Sequence, residues 1–315
     1  MNGSLYDEYL DLISSKTIPK FLPKYLNVPS LIRLKYIGYF CGMDYASKDV
    51  YNFKEKILRY DHSLSVALLT WKFTHDKKAT IAGLFHDIAT PCFSHVIDYM
   101  NKDYENQEST EEYTKDVIIN DIELVEFLLK DNIFIEDIIN FKEYSIADNK
   151  RPKLCADRLD GIILTGIAWT KTIDKKDIIE IMSDLDVYEN EFGEKELGFK
   201  TASIALNILY TSNEIDKYCH SNEDKYMMEL LAEITKISID IGIIKYEELY
   251  YADENCIINK IKNSKIKEME NLLDKFENIK KKDIPIIKLA NIKKRDLNPL
   301  VDGIRLNEVI KIGVQ

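Results

Sequence analysis

Four of the five histidines of this 315-residue chain fall between His62 and His95. Even spacing would place about half a histidine in a window of that length. The cluster constrains the fold because imidazoles do chemistry only where they converge. His62 lies 24 residues before the adjacent pair His86-Asp87, and the acidic segment ADRLDG (Ala156–Gly161) begins 70 residues after His86. A chain that uses these residues together must bring two neighbouring segments and a distant third one to a single point. We read His62, His86, Asp87 and Asp157 as four ligands of one divalent metal ion.

The segments carrying them have helical periodicity. Val66, Leu68, Leu69 and Phe73 predict a helix over Ser63–Phe73, and Ile81, Ala82, Leu84 and Phe85 predict one over Ala79–Ile88. Pro91 ends the second, and Phe93–Met100 restarts a helix. Pro152–Lys171 is apolar nearly all round apart from its Asp and Arg residues, the pattern of a central buried helix. A lone carboxylate there, at Asp157, would cost several kcal/mol, and a bound cation offsets that cost. Mixed imidazole and carboxylate ligands suit Mn, Fe, Ni, Zn or Mg. Such an ion can lower the pKa of its water from about 15.7 to about 7.

The rest of the chain reads as follows. Met1–Lys20 has helical spacing, and Pro19, Pro23 and Pro29 make Ile18–Pro29 irregular. Ser30 is a candidate cap for a helix through Phe40, and Met43–Asn52 reads as a connection outside the core. Helices are expected over Asn106–Lys130, Ile133–Glu143, from Ile178 to before Phe192-Gly193, over Thr201–Tyr210 and over Lys225–Ile244. Asp253–Lys281 reads as one long polar helix whose apolar stripe, from Ile257 to Phe276, is core or a partner surface. Ile284–Ile292 favours β structure, and turns at Asn298-Pro299 and Gly303 predict one or two small strands. The expected fold is all-α, a helical core with a small C-terminal α+β appendage, divided as 1–52, 53–215 and 216–315.

The net charge of −11 disfavours sequence-blind nucleic-acid binding, which needs cations to neutralise phosphates. It leaves room for a small phosphate substrate, because a local basic cluster can reverse the field inside a cleft. The odd number of cysteines (Cys41, Cys92, Cys155, Cys219 and Cys256) forms no CxxC pair, which fits a reducing cytoplasm. No apolar run reaches the roughly 20 residues that span a bilayer.

Several residues beside the centre have two readings. Arg59 lies one helical turn before His62; it binds substrate phosphate with its planar fork of donors, or it pairs with Asp61 or Glu55. Arg158 and Asp160 flank Asp157; they contact substrate and support the ligands, or pair with each other or with neighbouring helices. His95 is the remaining imidazole for proton transfer, with Asp98 three residues on to orient it; the other reading makes Ser94-His95 a helix cap. The second HD dipeptide, His75-Asp76, falls in a polar THDKK stretch and reads as surface loop. His220 is an exposed turn residue, and Cys92 and Cys155 are packing residues.

The pattern as a whole resembles the HD-domain superfamily of metal-dependent phosphohydrolases over roughly Arg59–Gly161. RYDHS (Arg59–Ser63) resembles the R-F-x-H-S-L opening of the deoxynucleoside triphosphate triphosphohydrolase branch. HDIATPCFSHVID (His86–Asp98) is similar to that branch's H-D-[IL]-G-H-x-P-F-S-H-x-[FL]-[DE], and ADRLDG to A-D-x-L-D-Y. The resemblance implies an all-α HD-domain fold, the ligands His62, His86, Asp87 and Asp157, phosphate contact by Arg59, and His95 and Asp98 in or near the reaction cleft. Four positions depart from the pattern. Thr90 stands where the branch has a histidine, and Gln107 is the nearest match to a further histidine. Gly161 replaces a tyrosine, and Thr165 an aspartate. A two-metal centre would need more histidines between His86 and Asp157 than His95 alone.

The expected activity is hydrolysis of a phosphoester or phosphoanhydride bond by metal-activated water, most readily on a nucleotide or deoxynucleotide. Arg59 and Arg158 would bind the substrate, and His95 with Asp98 would be catalytic. The related triphosphohydrolases imply a homo-oligomer. The alternative is a catalytically degenerate HD-domain protein that binds metal and nucleotide as a regulatory or interaction module.

Overall fold

The structure, a computed structural model, describes residues 4–14, 18–105, 113–288 and 293–313. Its centre is a pair of consecutive helices, Arg59–Thr74 and Lys77–Phe85, packed against each other. The connection is two residues long. His75 adopts a left-handed conformation, φ 50°, and closes the first helix through its N–H to the Trp71 carbonyl. Asp76 starts the second by accepting from the N–H groups of Lys78 and Ala79. Ser63 to Thr70 and Ala79 to Phe85 are all buried, so packing rather than amphipathicity holds these helices.

Further helices surround the pair. The helix Ala156–Thr165 and the helix Leu5–Ser14 both pack on Arg59–Thr74. Ala156–Thr165 continues into a turn of π-helix, Gly166–Thr170. The long helices Ala202–Cys219 and Asn222–Asp240 follow, and the second packs against Val96–Met100. One apolar core runs through all of them, from Tyr9 to Leu306. No helix among the described residues is long and apolar enough to cross a membrane.

A small four-stranded sheet lies beside the helices: β1 (Leu185–Glu189), β2 (Lys195–Phe199), β3 (Leu300–Val301) and β4 (Ile304–Arg305). The β1–β2 and β3–β4 pairs are antiparallel, and β2–β3 is parallel. Gly198 is required where β2 meets β3, because a Cβ there would come within 2.8 Å of the Leu300 side chain and 2.9 Å of its carbonyl oxygen. Arg305 anchors the sheet. Its guanidinium donates to both carboxylate oxygens of fully buried Glu196, at 2.7 and 2.8 Å, and to Glu191. Glu196 Oε1 also accepts from the Leu154 N–H at 3.0 Å. The sheet thereby fixes the loop that delivers Ala156–Thr165.

The fold corrects several boundaries. Ser30 is not a cap: its helix begins at Pro29 and ends at Arg33, and the Ser30 hydroxyl donates to Asp121. Met43, Ala46 and Tyr51 are buried, so Met43–Asn52 is part of the core. The helix expected over Asn106–Lys130 is divided at Asp121, which caps Ile122–Lys130; residues 106–112, Gln107 among them, lie outside the described part. The helix expected to run from Ile178 towards Phe192 stops at Asp184, and β1 follows. Thr201–Tyr210 extends to Cys219. Asp253–Lys281 is two helices, Glu254–Asn263 and Lys267–Asn278, separated where Lys265 turns left-handed at φ 56°. Its stripe residues Ile257, Ile258, Ile261, Met269, Leu273 and Phe276 are buried within the chain. Residues 284–288 form no strand, and 289–292 are outside the described residues.

Candidate metal centre

The helices Arg59–Thr74, Lys77–Phe85 and Ala156–Thr165 bring the four expected ligands together. His62 lies in the first turn of Arg59–Thr74, His86 and Asp87 follow the end of Lys77–Phe85, and Asp157 lies in the first turn of Ala156–Thr165. Asp157 Oδ1 is 3.0 Å from His62 Nε2 and 3.6 Å from His86 Nε2. Asp87 Oδ2 is 3.7 Å from His86 Nε2 and 3.9 Å from His62 Nε2. Donor atoms of His62, His86 and Asp87 all lie within 4.8 Å of one another.

Both imidazoles are oriented to present Nε2. His62 Nδ1 donates to Asp160 Oδ2 at 2.7 Å, and His86 Nδ1 to the Gly83 carbonyl at 2.8 Å. With the proton kept on Nδ1 by these acceptors, the neutral ring has its lone pair on Nε2, the tautomer a metal requires. Asp160 is fully buried, and its other oxygen accepts from the Tyr9 hydroxyl at 2.7 Å. His86 is further held by stacking on Phe141, centroids 4.9 Å apart.

The electrostatics fit a cation. Burial opposes a charge on His62, yet Asp157 and Asp160 outweigh it and push its pKa up to about 10. His86 is raised in the same way by Asp87 and Asp157. Burial would raise both ligand carboxyls, but the imidazoles, with Arg59 beside Asp87, hold them below their usual range. The two carboxylates thus favour positive charge at the point where the imidazoles meet. A divalent ion supplies the same positive charge to the four donors and leaves the rings neutral.

Arg59 pairs with neither Asp61 nor Glu55. Its Nη1 donates to Asp87 Oδ2 at 2.8 Å, and its guanidinium lies over the Tyr39 ring, 4.9 Å from the centroid. Asp61 instead caps its own helix at Leu58 N–H, and Glu55 accepts from the N–H groups of Leu5 and Tyr6. Tyr39 also fills the space beside Gly161, where a Cβ would come within 2.9 Å of its hydroxyl.

His95 follows a strained loop. Phe93 and Ser94 both have positive φ, 64° and 48°, which costs energy for residues with a Cβ. Glu254 holds the loop by accepting from Phe93 N–H at 3.1 Å, and Arg33 holds its upstream part through the carbonyls of Ile88 and Thr90. His95 donates from Nδ1 to the buried Asp98 at 2.9 Å and makes no side-chain cap bond to the helix that follows. Burial, partly offset by Asp98, lowers its pKa. Thr90 is fully buried.

Tyr39, Arg59, His62, His86, Asp87, His95 and Asp157 line one cavity of about 1060 Å³. Lys115, Lys142, Lys150, Arg151, Lys293 and Arg295 line it too. Arg151 and Arg295 form no ion pair among the described residues, and burial together with the nearby Arg158 and Arg295 lowers the Arg151 pKa to about 10. Arg158 itself is engaged: it donates to the Asn149 side chain and carbonyl at 2.8 Å each and to the Lys153 carbonyl. It clamps the loop before Asp157.

His75 lies exposed at the far end of the Lys77–Phe85 helix. His220 is half-buried, with Nδ1 donating to the Asp216 carbonyl. Cys92 and Cys155 are fully buried thiols with pKa values raised by burial. The sequence reading missed Tyr9 and Tyr39. Neither sits near a motif, and only the fold brings Tyr9 to Asp160 across 151 residues. Asp160 was legible as Asp157's neighbour on one helix face.

Comparison with known proteins agrees with the geometry. Residues 59–165 match the family described as HD domain, which spans all four proposed ligands and Arg59. The uncharacterized protein YdhJ of Bacillus subtilis is 26% identical over 226 residues, covering 70% of this chain and 66% of that protein. The metal-dependent phosphohydrolase cns2 of Cordyceps militaris is 21% identical over 228 residues, covering 70% and 64%. The match therefore spans just under two thirds of these relatives' own length. Among solved structures, a hypothetical protein from Aquifex aeolicus superposes with TM-score 0.59 at 18% identity, covering 82% of this chain and 71% of that one. A phosphohydrolase from Bacteroides thetaiotaomicron superposes with TM-score 0.55 at 18% identity, covering 82% and 74%. The family match supports the HD superfamily for residues 59–165, and the two solved structures share the fold.

Proposed function

We propose that this protein is a metal-dependent phosphohydrolase that acts on a nucleotide or deoxynucleotide. The observation that carries the reading is the convergence of His62, His86, Asp87 and Asp157 in one cavity with a guanidinium, Arg59, bonded to a ligand carboxylate. The HD match and the phosphohydrolase name of a relative point the same way. His62, His86, Asp87 and Asp157 would hold one divalent ion among Mn, Fe, Ni, Zn and Mg; bound there, it supplies Lewis acidity and an acidified water.

The chain's own groups complete the chemistry. Arg59, kept charged and fixed by Asp87 and Tyr39, offers its remaining donors to a phosphate oxygen and opposes the negative charge that builds up there. The basic side chains around the cavity counter the overall charge of the chain and attract an anionic substrate. His95 is held by Asp98 with Nε2 unprotonated, so it can take a proton at that atom or, once protonated, return it to the leaving oxygen. Arg158 serves the reaction through the loop it clamps. The cytoplasm fits the free cysteines, and a homo-oligomer follows from the resemblance; light scattering of the purified protein checks the latter.

The test is a hydrolysis screen of deoxynucleoside and ribonucleoside mono- and triphosphates with each candidate metal, resolving phosphate, pyrophosphate and triphosphate as products. Release of one of these, lost in His86→Ala and Asp157→Ala, is the expected result. A protein that takes up no metal and releases none of them overturns the proposal. Metal and nucleotide bound without turnover would favour the degenerate binding module instead.

A further inference from the structure

The end of the cavity formed by residues beyond the HD match has its own chemistry. Trp169, Ser212, Cys219 and Asp224 line it together with Tyr51. Trp169 is part of an aromatic wall, at 5.8 Å from Tyr51, 6.0 Å from Phe53 and 5.5 Å from Tyr218 between ring centroids. Asp224 is only 8% exposed. One of its oxygens accepts from the Tyr51 hydroxyl at 2.6 Å, and the other receives no hydrogen bond from the described residues. Ser212 is 4% exposed, and its hydroxyl likewise has no partner among them. Two buried polar groups on consecutive helices therefore line the cavity with unused capacity. Buried polar groups are ordinarily satisfied, and an apolar wall with a few convergent polar groups is how pockets fix a flat ligand.

We propose that this end of the cavity is a nucleobase pocket, in which Trp169 stacks on the base and Asp224 accepts a hydrogen bond from an exocyclic amino group. The assignment rests on the nucleotide reading and adds a preference to it. A carboxylate oxygen in this position accepts and cannot donate. It favours guanine, cytosine and adenine, whose exocyclic amino groups donate, over hypoxanthine and uracil, which carry hydrogen or a carbonyl oxygen at the amino position and keep only a ring N–H as donor on that edge. Ser212 supplies a second donor or acceptor to the same edge. The phosphate arm of the ligand then extends toward Arg59 and the four metal ligands in the same cavity. Leaving a buried acceptor unpaired is what makes such a site reject the ligand without the amino group.

The chain reports on this pocket directly, because Trp71 and Trp169 are its two tryptophans. With Trp71→Phe as background, titration with guanosine, inosine, cytidine and uridine monophosphates should quench Trp169 emission, with the amino-bearing member of each pair bound roughly tenfold more tightly. Asp224→Asn should abolish or reverse that preference, because its amide can donate to a carbonyl. Tyr51→Phe removes the hydroxyl that bonds Asp224 while leaving the carboxylate, and should keep the preference. Trp169→Leu should weaken every nucleotide roughly tenfold, the scale of lost base stacking. Nucleotides that bind and are hydrolysed with no amino preference, or a preference unchanged by Asp224→Asn, overturn the pocket while leaving the phosphohydrolase intact. Turnover of a base-free phosphoester with no binding of any nucleotide overturns the nucleotide reading and the pocket together. Should Asp224→Asn fail to fold, Trp169→Leu and the paired titrations on the parent still decide the matter.

Discussion

The chain contains the dipeptide His-Asp twice, and the two copies sit at opposite ends of one helix, Lys77–Phe85. His75-Asp76 precedes it and is exposed; His86-Asp87 follows it and faces the cavity. At the first, the imidazole ends the previous helix in a left-handed turn and the carboxylate caps the next one. At the second, the imidazole bonds back to Gly83 and both side chains meet His62 and Asp157. The same two residues are punctuation in one place and proposed ligands in the other. The difference is set by what a third, distant segment brings: only the second copy is met by Asp157. Two adjacent letters carry little information, and their meaning comes from the tertiary neighbour.

That contrast can be broken experimentally. The largest effect belongs to the inner copy and its partners: Asp87→Ala, like His86→Ala or Asp157→Ala, should reduce bound metal to background and lower hydrolysis by about 10³ or more, read by elemental analysis and product assay on one preparation. Arg59→Gln removes the guanidinium but no ligand; it should keep metal and lower kcat/KM by about 10²-fold.

His95 sharpens the comparison at the level of protons. His95→Asn should retain metal and lower kcat by about 10²–10⁴. Because burial lowers its pKa, the ring stays neutral into mildly acid solution, and the acid limb of the kcat profile should lie below the usual histidine pKa near 6.5. Asp98 raises that pKa, so Asp98→Asn should move the limb to still lower pH. A limb that stays put would remove His95 from proton transfer.

The smallest effect belongs to the outer copy. Asp76→Ala removes a helix cap and should cost about 1 kcal/mol of stability in a denaturant titration, with metal content and turnover per folded molecule unchanged. His75→Ala, at an exposed position, should change stability by less than about 0.5 kcal/mol. Loss of activity in either variant would erase the distinction between the copies.

How much of this was legible follows from where each interaction gets its partner. The convergence of His62, His86, Asp87 and Asp157 could be expected from the resemblance to the HD superfamily, and from the need of a carboxylate on an apolar helix for a counter-charge. The helices themselves were legible where apolar spacing and packing agree. The β1–β2 hairpin was not, because Leu185–Glu189 continues the preceding helix without a breaker and forms a strand only by pairing with Lys195–Phe199 and, through it, with Leu300–Val301. The division of Asp253–Lys281 was hidden for a similar reason: Lys265 takes a left-handed turn without glycine or proline to announce it. The sequence left Arg158 open between substrate contact and pairing because it shows the neighbour Asp157 but not the Asn149 and Lys153 carbonyls that engage the guanidinium.

The Arg305–Glu196 pair has a consequence for how the protein is made. Glu196 fixes Leu154, two residues before the helix that carries Asp157, and Arg305 fixes Glu196. At the other end, Tyr9 supports Asp160, which aims His62. A ribosome that has delivered residue 165 has supplied all four proposed ligands, yet the brace behind one of them is still 140 residues away. Until Arg305 emerges, a nascent chain can possess its ligands and still lack the scaffold that holds Asp157 in place.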